Sequence, residues 1–251
     1  SRLREATWVL LPQDMGVVSS SALQVLRDDM PGDTRAILLG PGLGQEEATA
    51  AFIRGMFRGG EQAKRGKLGF ASSPIAGAEA EVHGFEFPAP LVIDADGLNN
   101  LAKIDEWWTL LPSGTILTPH PGEMGRLAGI DTAEVEADRF GIALAKAAQW
   151  NCIVVLKGAH TLIASPEGRL VAMPFATDAL ATAGTGDVLS GCIVGLLAQG
   201  LEPFDAALVG AYVHGLAGQL AGEDLSARST IAGDVLDMIP EALSLLEPDV
   251  L

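Results

Sequence analysis

A glycine-rich turn with one acidic residue stands directly before an apolar helical segment. The turn is Gly184-Thr185-Gly186-Asp187, and the apolar run behind it predicts a helix over 188–199. A helix N-terminus presents unpaired N–H groups and the positive end of its dipole, so this turn is suited to hold an anion such as phosphate. We therefore predict an anion hole formed by Gly184, Thr185 and Gly186.

Asp187 has two interpretations, because a bound phosphate would repel its carboxylate. In the first, Asp187 takes the proton of a hydroxyl group while the backbone N–H groups stabilise the phosphoryl group that this hydroxyl attacks. In the second, it is an N-capping residue in an ordinary glycine-rich turn. The turn by itself leaves both open.

A second candidate segment follows a buried strand and reads Lys157, Gly158, Ala159, His160 and Thr161. A lysine that leaves a strand end beside a glycine suits contact with the phosphates of a nucleotide. A solvated turn lysine is the alternative.

Other polar residues follow strand ends as well. His120 lies between two prolines, which fix its backbone, and this favours a ligand contact. Glu123 could bind Mg²⁺ through water or simply begin a helix. Asp94 and Asp96 could hydrogen-bond the neighbouring loop or orient a substrate, and structural support is the favoured interpretation. Three further residues are interpreted as core or helix-packing residues: Trp107, Trp108 and His214.

Several classes of site are excluded by spacing. The turn Gly40-x-Gly42-x-Gly44 does not match GxGxxG, and it is interpreted as a glycine turn that lets a substrate approach the backbone. The sequence holds no GxxxxGK[ST], no metal-ligand spacing such as CxxC or HExxH, and no GxSxG.

Alternating strand and helix patterns must position these turns. They predict an α/β fold with a mostly parallel sheet, helices on both faces and an edge hairpin formed by 161–164 and 169–173. We expect one domain over 1–251, with 59–90 as a surface insertion. The predicted strands are 7–11, 36–39, 91–93, 115–117 and 152–156, and the predicted helices are 20–28, 46–57, a short one after Asp94, 134–149, 188–199, 204–221 and 231–246.

Composition and charge restrict the binding partners and the cellular location that we expect. The chain has 251 residues, 48% hydrophobic content and a formal charge of −16, which argues against a nucleic-acid or anionic-membrane partner. Cys152 and Cys192 lie in apolar segments and are expected to be free thiols in a reducing compartment. With neither a signal-peptide pattern nor an apolar run of roughly 18 residues, we expect a cytoplasmic protein.

Five motifs stand in the order seen in the ADP/ATP-dependent NAD(P)H-hydrate dehydratases, repair enzymes of the ribokinase-like superfamily. Together they make the resemblance specific, although each alone would be weak. The motifs are Gly40–Gly44 (GPGLG), Asp94–Asn99 (DADGLN), Leu117–Glu123 (LTPHPGE), Val155–Ala159 (VLKGA) with Thr161, and Ala183–Gly191 (AGTGDVLSG).

The resemblance implies a reaction and a set of roles. The hydroxyl of a hydrated nicotinamide ring would be phosphorylated by ADP or ATP, with Mg²⁺, and then eliminated to restore NADH or NADPH. Asp187 would activate that hydroxyl beside an anion hole at Gly186. The segment 157–161 would contact the nucleotide, while Gly44 and His120 would contact the hydrated dinucleotide. A homo-oligomer, often a tetramer, is also implied.

The chain departs from the family pattern twice. Thr177-Asp178-Ala179 stand where the family has an Asn-Pro-Gly-like stretch, and the family's opening strand, glycine-rich turn and helix have no counterpart ahead of Thr7. We therefore expect a chain that lacks an N-terminal segment or belongs to a larger assembly.

Two other functions remain open. A small-molecule kinase of the same superfamily would use the same anion hole and Asp187 but release a phosphorylated product. Vitamin-precursor kinases often have cysteine at the position of Asp187, and sugar kinases have aspartate at the position of Ala181, so both details favour the dehydratase. A non-catalytic nucleotide-binding protein is the third interpretation.

Overall fold

The computed structural model describes residues 6–58 and 84–246, and these residues form two compact units. The first unit comprises 6–30, 44–58 and 84–86, and the second comprises 31–43 and 87–246. The single domain over 1–251 stays a prediction. Most of the predicted insertion over 59–90 lies outside the described residues.

The first unit holds a short hairpin and two helices. Gly55 lets the helices approach closely, since a Cβ there would lie 2.8 Å from Cδ1 of Leu23. The predicted helices over 20–28 and 46–57 are confirmed, with ends shifted by one or two residues. The elements are β1 (Gln13–Asp14), the antiparallel β2 (Val17–Val18), α1 (Ala22–Asp29) and α2 (Glu47–Arg58).

The predicted strand over 7–11 is wrong. These residues are irregular, and Trp8 and Leu10 are 64% and 90% exposed. The segment pairs with no strand among residues 6–58 and 84–246, and a strand without a hydrogen-bonded neighbour gains nothing from its β-prone side chains.

A six-stranded sheet forms the centre of the second unit, in the order β3-β4-β5-β6-β7-β8. The pairings from β3 to β6 are parallel, and β7 and β8 are antiparallel additions. The mostly parallel sheet and its edge hairpin are therefore confirmed. The strands are β3 (Ile37–Leu39), β4 (Leu91–Ile93), β5 (Ile116–Leu117), β6 (Ile153–Leu156), β7 (Leu162–Ala164) and β8 (Leu170–Ala172).

Helices cover both faces of this sheet. Alternate residues such as Ile153 and Val155 share a core with Leu189 and Ile193 of α7, while α6 packs on β6 and β7. The helices are α3 (Ala95–Leu101), α4 (Pro121–Ala128), α5 (Thr132–Ala137), α6 (Arg139–Trp150), α7 (Thr185–Ala198), α8 (Pro203–Leu225), α9 (Ala232–Asp237) and α10 (Ile239–Ser244), with 3₁₀ turns at Trp107–Leu110 and Asp178–Ala181.

Two predicted helices are each divided in two. The segment 134–149 breaks at Asp138, which leaves helical geometry at φ −141° and caps α6 by accepting the amide N–H of Gly141. The segment 231–246 breaks at Met238, where Pro240 in the first turn of α10 lacks the N–H that a continuing helix needs. Local capping chemistry therefore overrides the helical apolar pattern.

The glycine turn after β3 serves a close backbone crossing. A Cβ on Gly40 would overlap the carbonyl oxygen of Asp94, and one on Gly97 would lie 2.6 Å from the carbonyl oxygen of Leu39. Gly40 also has a φ of +137°, which favours glycine. The neighbour that approaches Gly40 is thus the protein's own backbone, where we had expected a substrate.

Cys152 is buried and Cys192 half-buried, both are free, and burial raises the pKa of these thiols to about 12 and about 11. Of the helices in residues 6–58 and 84–246, not one combines the length and apolar character required to cross a bilayer.

Candidate active site

Three charged side chains meet where neighbouring parallel strands end. Asp94 follows β4, Glu123 lies in the first turn of α4 after β5, and Lys157 follows β6. The Lys157 Nζ lies 2.8 Å from Asp94 Oδ1 and 3.6 Å from Glu123 Oε2. Because the Asp94 side chain is 1% exposed and that of Lys157 is 18% exposed, water screens this ion pair only weakly.

The start of α7, where we predict an anion hole, is held by hydrogen bonds that leave its first turn uncapped. Gly184 takes the left-handed conformation at φ +91°, and the Thr185 hydroxyl donates to the carbonyls of Leu180 and Thr182 at 2.8 and 2.9 Å. Regular helix bonding begins where Val188 N–H donates to the Gly184 carbonyl. These contacts hold the turn in place without any side-chain cap.

Two amides in the first turn of α7 have no acceptor within the described part of the chain, those of Gly186 and Asp187, and the amide of Gly184, directly before the helix, has none either. The Thr185 amide, which we had included in the anion hole, already donates to the Thr182 carbonyl at 3.3 Å. The Asp187 side chain is exposed. An anion can therefore reach two unpaired N–H groups beside an accessible carboxylate.

Lys157 lies directly against this turn. A Cβ built on Gly186 would be 3.2 Å from Lys157 Nζ and 3.9 Å from Asp94 Oδ2. The structure thus brings the predicted nucleotide lysine and the predicted anion hole together. An ammonium group beside unpaired amides adds positive charge where a phosphoryl group would carry negative charge.

His120 and Glu123 cap the N-terminus of α4 with reciprocal hydrogen bonds. His120 Nδ1 accepts the amide N–H groups of Gly122 and Glu123 at 3.0 and 3.3 Å, and Glu123 Oε2 accepts the His120 N–H at 2.8 Å. The His120 Nε2 lies 3.5 Å from Glu123 Oε1, with the histidine side chain half exposed. Burial lowers the pKa of His120, while Glu123 raises it and Lys157 lowers it. Glu123 is thus a helix-starting residue, and its binding of Mg²⁺ stays a prediction.

The predicted nucleotide segment is held in shape by Arg139, a residue that the sequence reading missed. Its Nη1 donates to the Ala159 carbonyl at 2.6 Å and its Nη2 to the Leu156 carbonyl at 3.3 Å. His160 adopts φ +53°, its amide donates to the Phe175 carbonyl at 2.8 Å, and its Nδ1 lies 3.0 Å from the Met173 carbonyl. The segment is therefore a loop fixed by hydrogen bonds, in which Gly158, Ala159 and His160 are exposed to solvent.

A cleft of about 230 Å³ runs along this loop to the start of α7. Its lining is mostly apolar, and Lys157 and Gly186 are among the residues that border it. The 3₁₀ turn that replaces the family's Asn-Pro-Gly-like stretch forms part of one wall. The residues around the cleft include Gly158, Ala159, Thr161, Met173, Phe175, Thr177, Asp178, Leu180, Thr185, Leu189, Ala211 and His214.

The residues interpreted as core or helix-packing residues are buried or half-buried, but one of them also borders the cleft. Trp107 is buried against Trp108 and Trp150, as expected for a core residue. His214 is buried but also borders the cleft. Gly44, at φ +80°, belongs to the first unit, and its substrate contact stays a prediction.

Asp94 pairs with Lys157 across 63 residues of sequence, and Arg139 bonds carbonyls that are 17 and 20 residues away, and local patterns do not reveal such pairings. The one available signal for Asp94 was its position directly after a buried strand. For Arg139, the first residue of α6, the sequence offers no comparable signal.

Comparison with known proteins decides the family. A family model described as NAD(P)H-hydrate dehydratase matches residues 72–241, which is more than half of the chain. The chain belongs to the NAD(P)H-hydrate dehydratase family. It is 37% identical over 235 residues to the bifunctional NAD(P)H-hydrate repair enzyme Nnr of Moorella thermoacetica, a match covering 94% of this chain and 39% of that protein. The chain therefore spans well under half of that relative.

Solved structures of the family and of its fold are also similar. The ADP/ATP-dependent NAD(P)H-hydrate dehydratase of Bacillus subtilis, co-crystallised with ATP/Mg²⁺ and soaked with CoA, superposes with a TM-score of 0.68 and 30% identity, covering 90% of this chain and 72% of that one. A ribokinase-like superfamily protein from Enterococcus faecalis superposes with a TM-score of 0.61 and 20% identity, covering 90% and 67%. The predicted ribokinase-like fold is confirmed.

Proposed function

We propose that this chain carries out the nucleotide-dependent dehydration of hydrated NADH or NADPH. The observation that carries the proposal is the start of α7, where the unpaired amides of Gly186 and Asp187 stand beside Lys157 and the exposed Asp187 carboxylate. Family membership supplies the reaction class, and the site supplies groups that fit it.

ADP or ATP fits the cleft. Its mostly apolar lining suits a nucleoside, and Lys157 and the unpaired amide of Gly186, which border it, suit contact with phosphates. The fixed loop 157–161, held by Arg139, would contact the nucleotide. The B. subtilis relative is named as ADP/ATP-dependent and was crystallised with ATP/Mg²⁺, which supports the same nucleotides here.

The chemistry begins with proton removal. Asp187 takes the proton of the ring hydroxyl, and the hydroxyl oxygen attacks the terminal phosphorus of the nucleotide. The bond from that phosphorus to the bridging oxygen breaks, and the shortened nucleotide leaves with the electron pair. The amides of Gly186 and Asp187 and the Lys157 ammonium stabilise the charge on the transferring group.

Elimination completes the reaction. Hydroxide is a poor leaving group and phosphate a good one, so the phosphorylated ring can lose phosphate together with the C–O electron pair. A proton leaves the adjacent ring carbon, and the carbon–carbon double bond of the nicotinamide ring is restored. This sequence explains why a dehydration would consume a nucleotide.

Mg²⁺ fits two carboxylates at this site. The Oδ2 of Asp94 is buried and has no hydrogen-bond partner within the described residues, and carboxylate oxygens are the ligands that Mg²⁺ prefers. Asp94 together with Glu123 would hold the ion, which when bound would neutralise phosphate charge. In residues 6–58 and 84–246 there is no group of three or more metal-binding side chains, which suits an ion bound mainly by phosphates and water.

The test mixes the chain with hydrated NADH and either ADP or ATP and follows recovery of the NADH absorbance band. We expect recovery only when a nucleotide is present. A phosphorylated product without recovered absorbance would indicate the kinase alternative, and nucleotide binding without turnover would indicate a non-catalytic binding protein. Homo-oligomer formation, cytoplasmic location and a missing N-terminal segment stay predictions.

A further inference from the structure

A histidine stands in the cleft without a role in the reaction just described. His214 lies on α8, is 8% exposed, and borders the cleft together with Thr185 and Leu189. Its Nε2 is buried and has no hydrogen-bond partner in the part of the chain that the structure describes. A buried nitrogen left unpaired costs free energy, so it calls for an explanation.

The other ring nitrogen fixes the tautomer. The imidazole ring is hydrogen-bonded to the backbone of Thr185, and this bond raises the pKa of His214. A bond with that effect is one in which the ring donates, so its acceptor is the Thr185 carbonyl. We assign the donor to Nδ1, because Nε2 is buried without a hydrogen-bond partner among the described residues. In the neutral ring, Nε2 therefore carries a bare lone pair.

The ring is neutral near pH 7. The pKa of His214 is lowered to about 4. Burial is the largest cause, the Thr185 bond raises the pKa against it, and the charge of Lys157 adds to the lowering. Nε2 is then an acceptor and cannot donate to a phosphate oxygen, which is itself an acceptor. The group that it can bind must carry an N–H or O–H.

We propose that His214 is a specificity-determining residue of the nucleotide cleft, whose Nε2 accepts a hydrogen bond from the nucleoside part of the bound nucleotide. The inference rests on the proposed function, because it takes an adenine nucleotide as the occupant of the cleft. Two groups of that nucleoside are donors, the 6-amino group of the base and the ribose hydroxyls. Nε2 is itself buried, so little water competes for it.

Helix packing alone does not explain why this buried position is a histidine. A residue needed only for helix packing would be served by an apolar side chain of similar size, without an unpaired nitrogen. Gly215 beside it packs against the Phe175 ring, so close packing of α8 against this wall is provided by the glycine.

The experiment measures binding by calorimetry, which is independent of turnover. The wild-type chain is titrated with ADP, with the 6-deamino analogue purine riboside diphosphate, and with 2′-deoxy and 3′-deoxy ADP. We expect one analogue, the one that lacks the donor, to bind about tenfold more weakly than ADP. The deamino analogue identifies the base as the source of the donor, and a deoxy analogue identifies the ribose.

Two variants supply a matched comparison. His214→Asn keeps a donor near the Nδ1 position for Thr185 but has no acceptor at the Nε2 position, whereas His214→Gln places an amide oxygen there. We expect His214→Asn to bind ADP about tenfold more weakly and to bind ADP and the critical analogue equally. We expect His214→Gln to retain part of the discrimination. Unfolding in urea, measured alongside, reports any general damage.

The outcomes separate the two proposals. A wild-type chain that binds neither ADP nor ATP removes the proposed function and this inference together, before any variant is made. A wild-type chain that binds ADP and all three analogues equally overturns the role of His214 alone. Equal losses for every ligand in His214→Asn would also overturn it, because that is the signature of a structural residue.

Discussion

Two helices of the second unit begin at the same edge of the sheet, and their first turns are used differently. At the start of α4, His120 and Glu123 satisfy the amides with their own side chains. At the start of α7, the amides of Gly186 and Asp187 have no acceptor in the described residues. Both helix ends carry the same dipole, so what distinguishes the anion site is the absence of a cap.

The comparison teaches that a helix N-terminus is available to a ligand only if the protein leaves it unsatisfied. The α4 turn is a self-contained structural device that positions Glu123 near Lys157. The α7 turn leaves amides that a bound anion could satisfy. We therefore expect changes at α7 to affect binding and turnover, and changes at α4 to affect stability first.

The largest effect is expected for Asp187→Asn. Losing the base that takes the hydroxyl proton should lower turnover of hydrated NADH by about 1,000-fold. Nucleotide affinity, measured by calorimetry, should change by no more than about threefold, since the backbone amides remain. Asp178→Asn, an equal change of charge at a residue that lines the cleft, is the control and should keep its activity. Retained turnover in Asp187→Asn would remove this residue from the mechanism.

Lys157→Ala should weaken nucleotide binding by about 10- to 100-fold, because a charged hydrogen bond to phosphate is lost. Affinity for the hydrated dinucleotide should fall less. The variant also leaves Asp94 buried and unpaired, so unfolding in urea should show a loss of up to about 3 kcal/mol. The double variant Asp94→Asn, Lys157→Met should recover stability without recovering nucleotide affinity. Equal losses for both ligands in Lys157→Ala would contradict the assignment.

A matched pair of glycine substitutions sharpens the comparison directly. A Cβ in Gly186→Ala would lie 3.2 Å from Lys157 Nζ, so ADP affinity should fall by about tenfold, while stability holds or rises by up to about 1 kcal/mol because alanine favours helix. A Cβ in Gly122→Ala would lie 2.9 Å from Cε1 of His120 and displace the capping ring, at a cost of roughly 1 kcal/mol. ADP affinity should then change little. Reversed outcomes would mean that the two turns have exchanged roles.

The smallest effect concerns pH. Protonation turns His120 Nδ1 from an acceptor into a donor and breaks the α4 cap. Burial lowers the pKa of His120 below its ordinary value of 6.5, so the stability of the cap is present above that value and is lost as pH falls towards the folded-state pKa. His120→Ser keeps a capping oxygen that does not titrate in this range.

Urea unfolding at pH 7 and pH 5 compares the two chains. The wild type should lose more stability than His120→Ser over this interval, with the contribution of His214 common to both. Parallel losses would show that His120 does not titrate as part of the cap.

Much of this architecture follows from local sequence. The strand at 91–93 and the hairpin at the sheet edge are set by short β-branched and apolar runs, and the turn at Gly184–Asp187 is set by glycine and a helical apolar run. The segment 7–11 shows the limit of such reasoning, because a strand requires a partner that local composition does not supply.

The candidate site also has residues that local sequence predicts and contacts that it does not. Lys157 and Gly186 were predicted separately, but their proximity depends on the parallel register of the sheet. The support from Arg139 and the unpaired Nε2 of His214 arise from helix packing, which periodicity predicts only in outline. Sequence therefore identifies the residues that do chemistry better than those that hold them in place.

The most direct measurement follows the backbone amides during titration with ADP, using a ¹⁵N-labelled chain in solution NMR. We expect the signals of Gly186 and Asp187 to shift strongly on binding, and those of Gly122 and Glu123, already bonded to His120, to shift far less. Equal shifts at both turns, or none at Gly186 and Asp187 when ADP is bound, would contradict an open anion site at the start of α7.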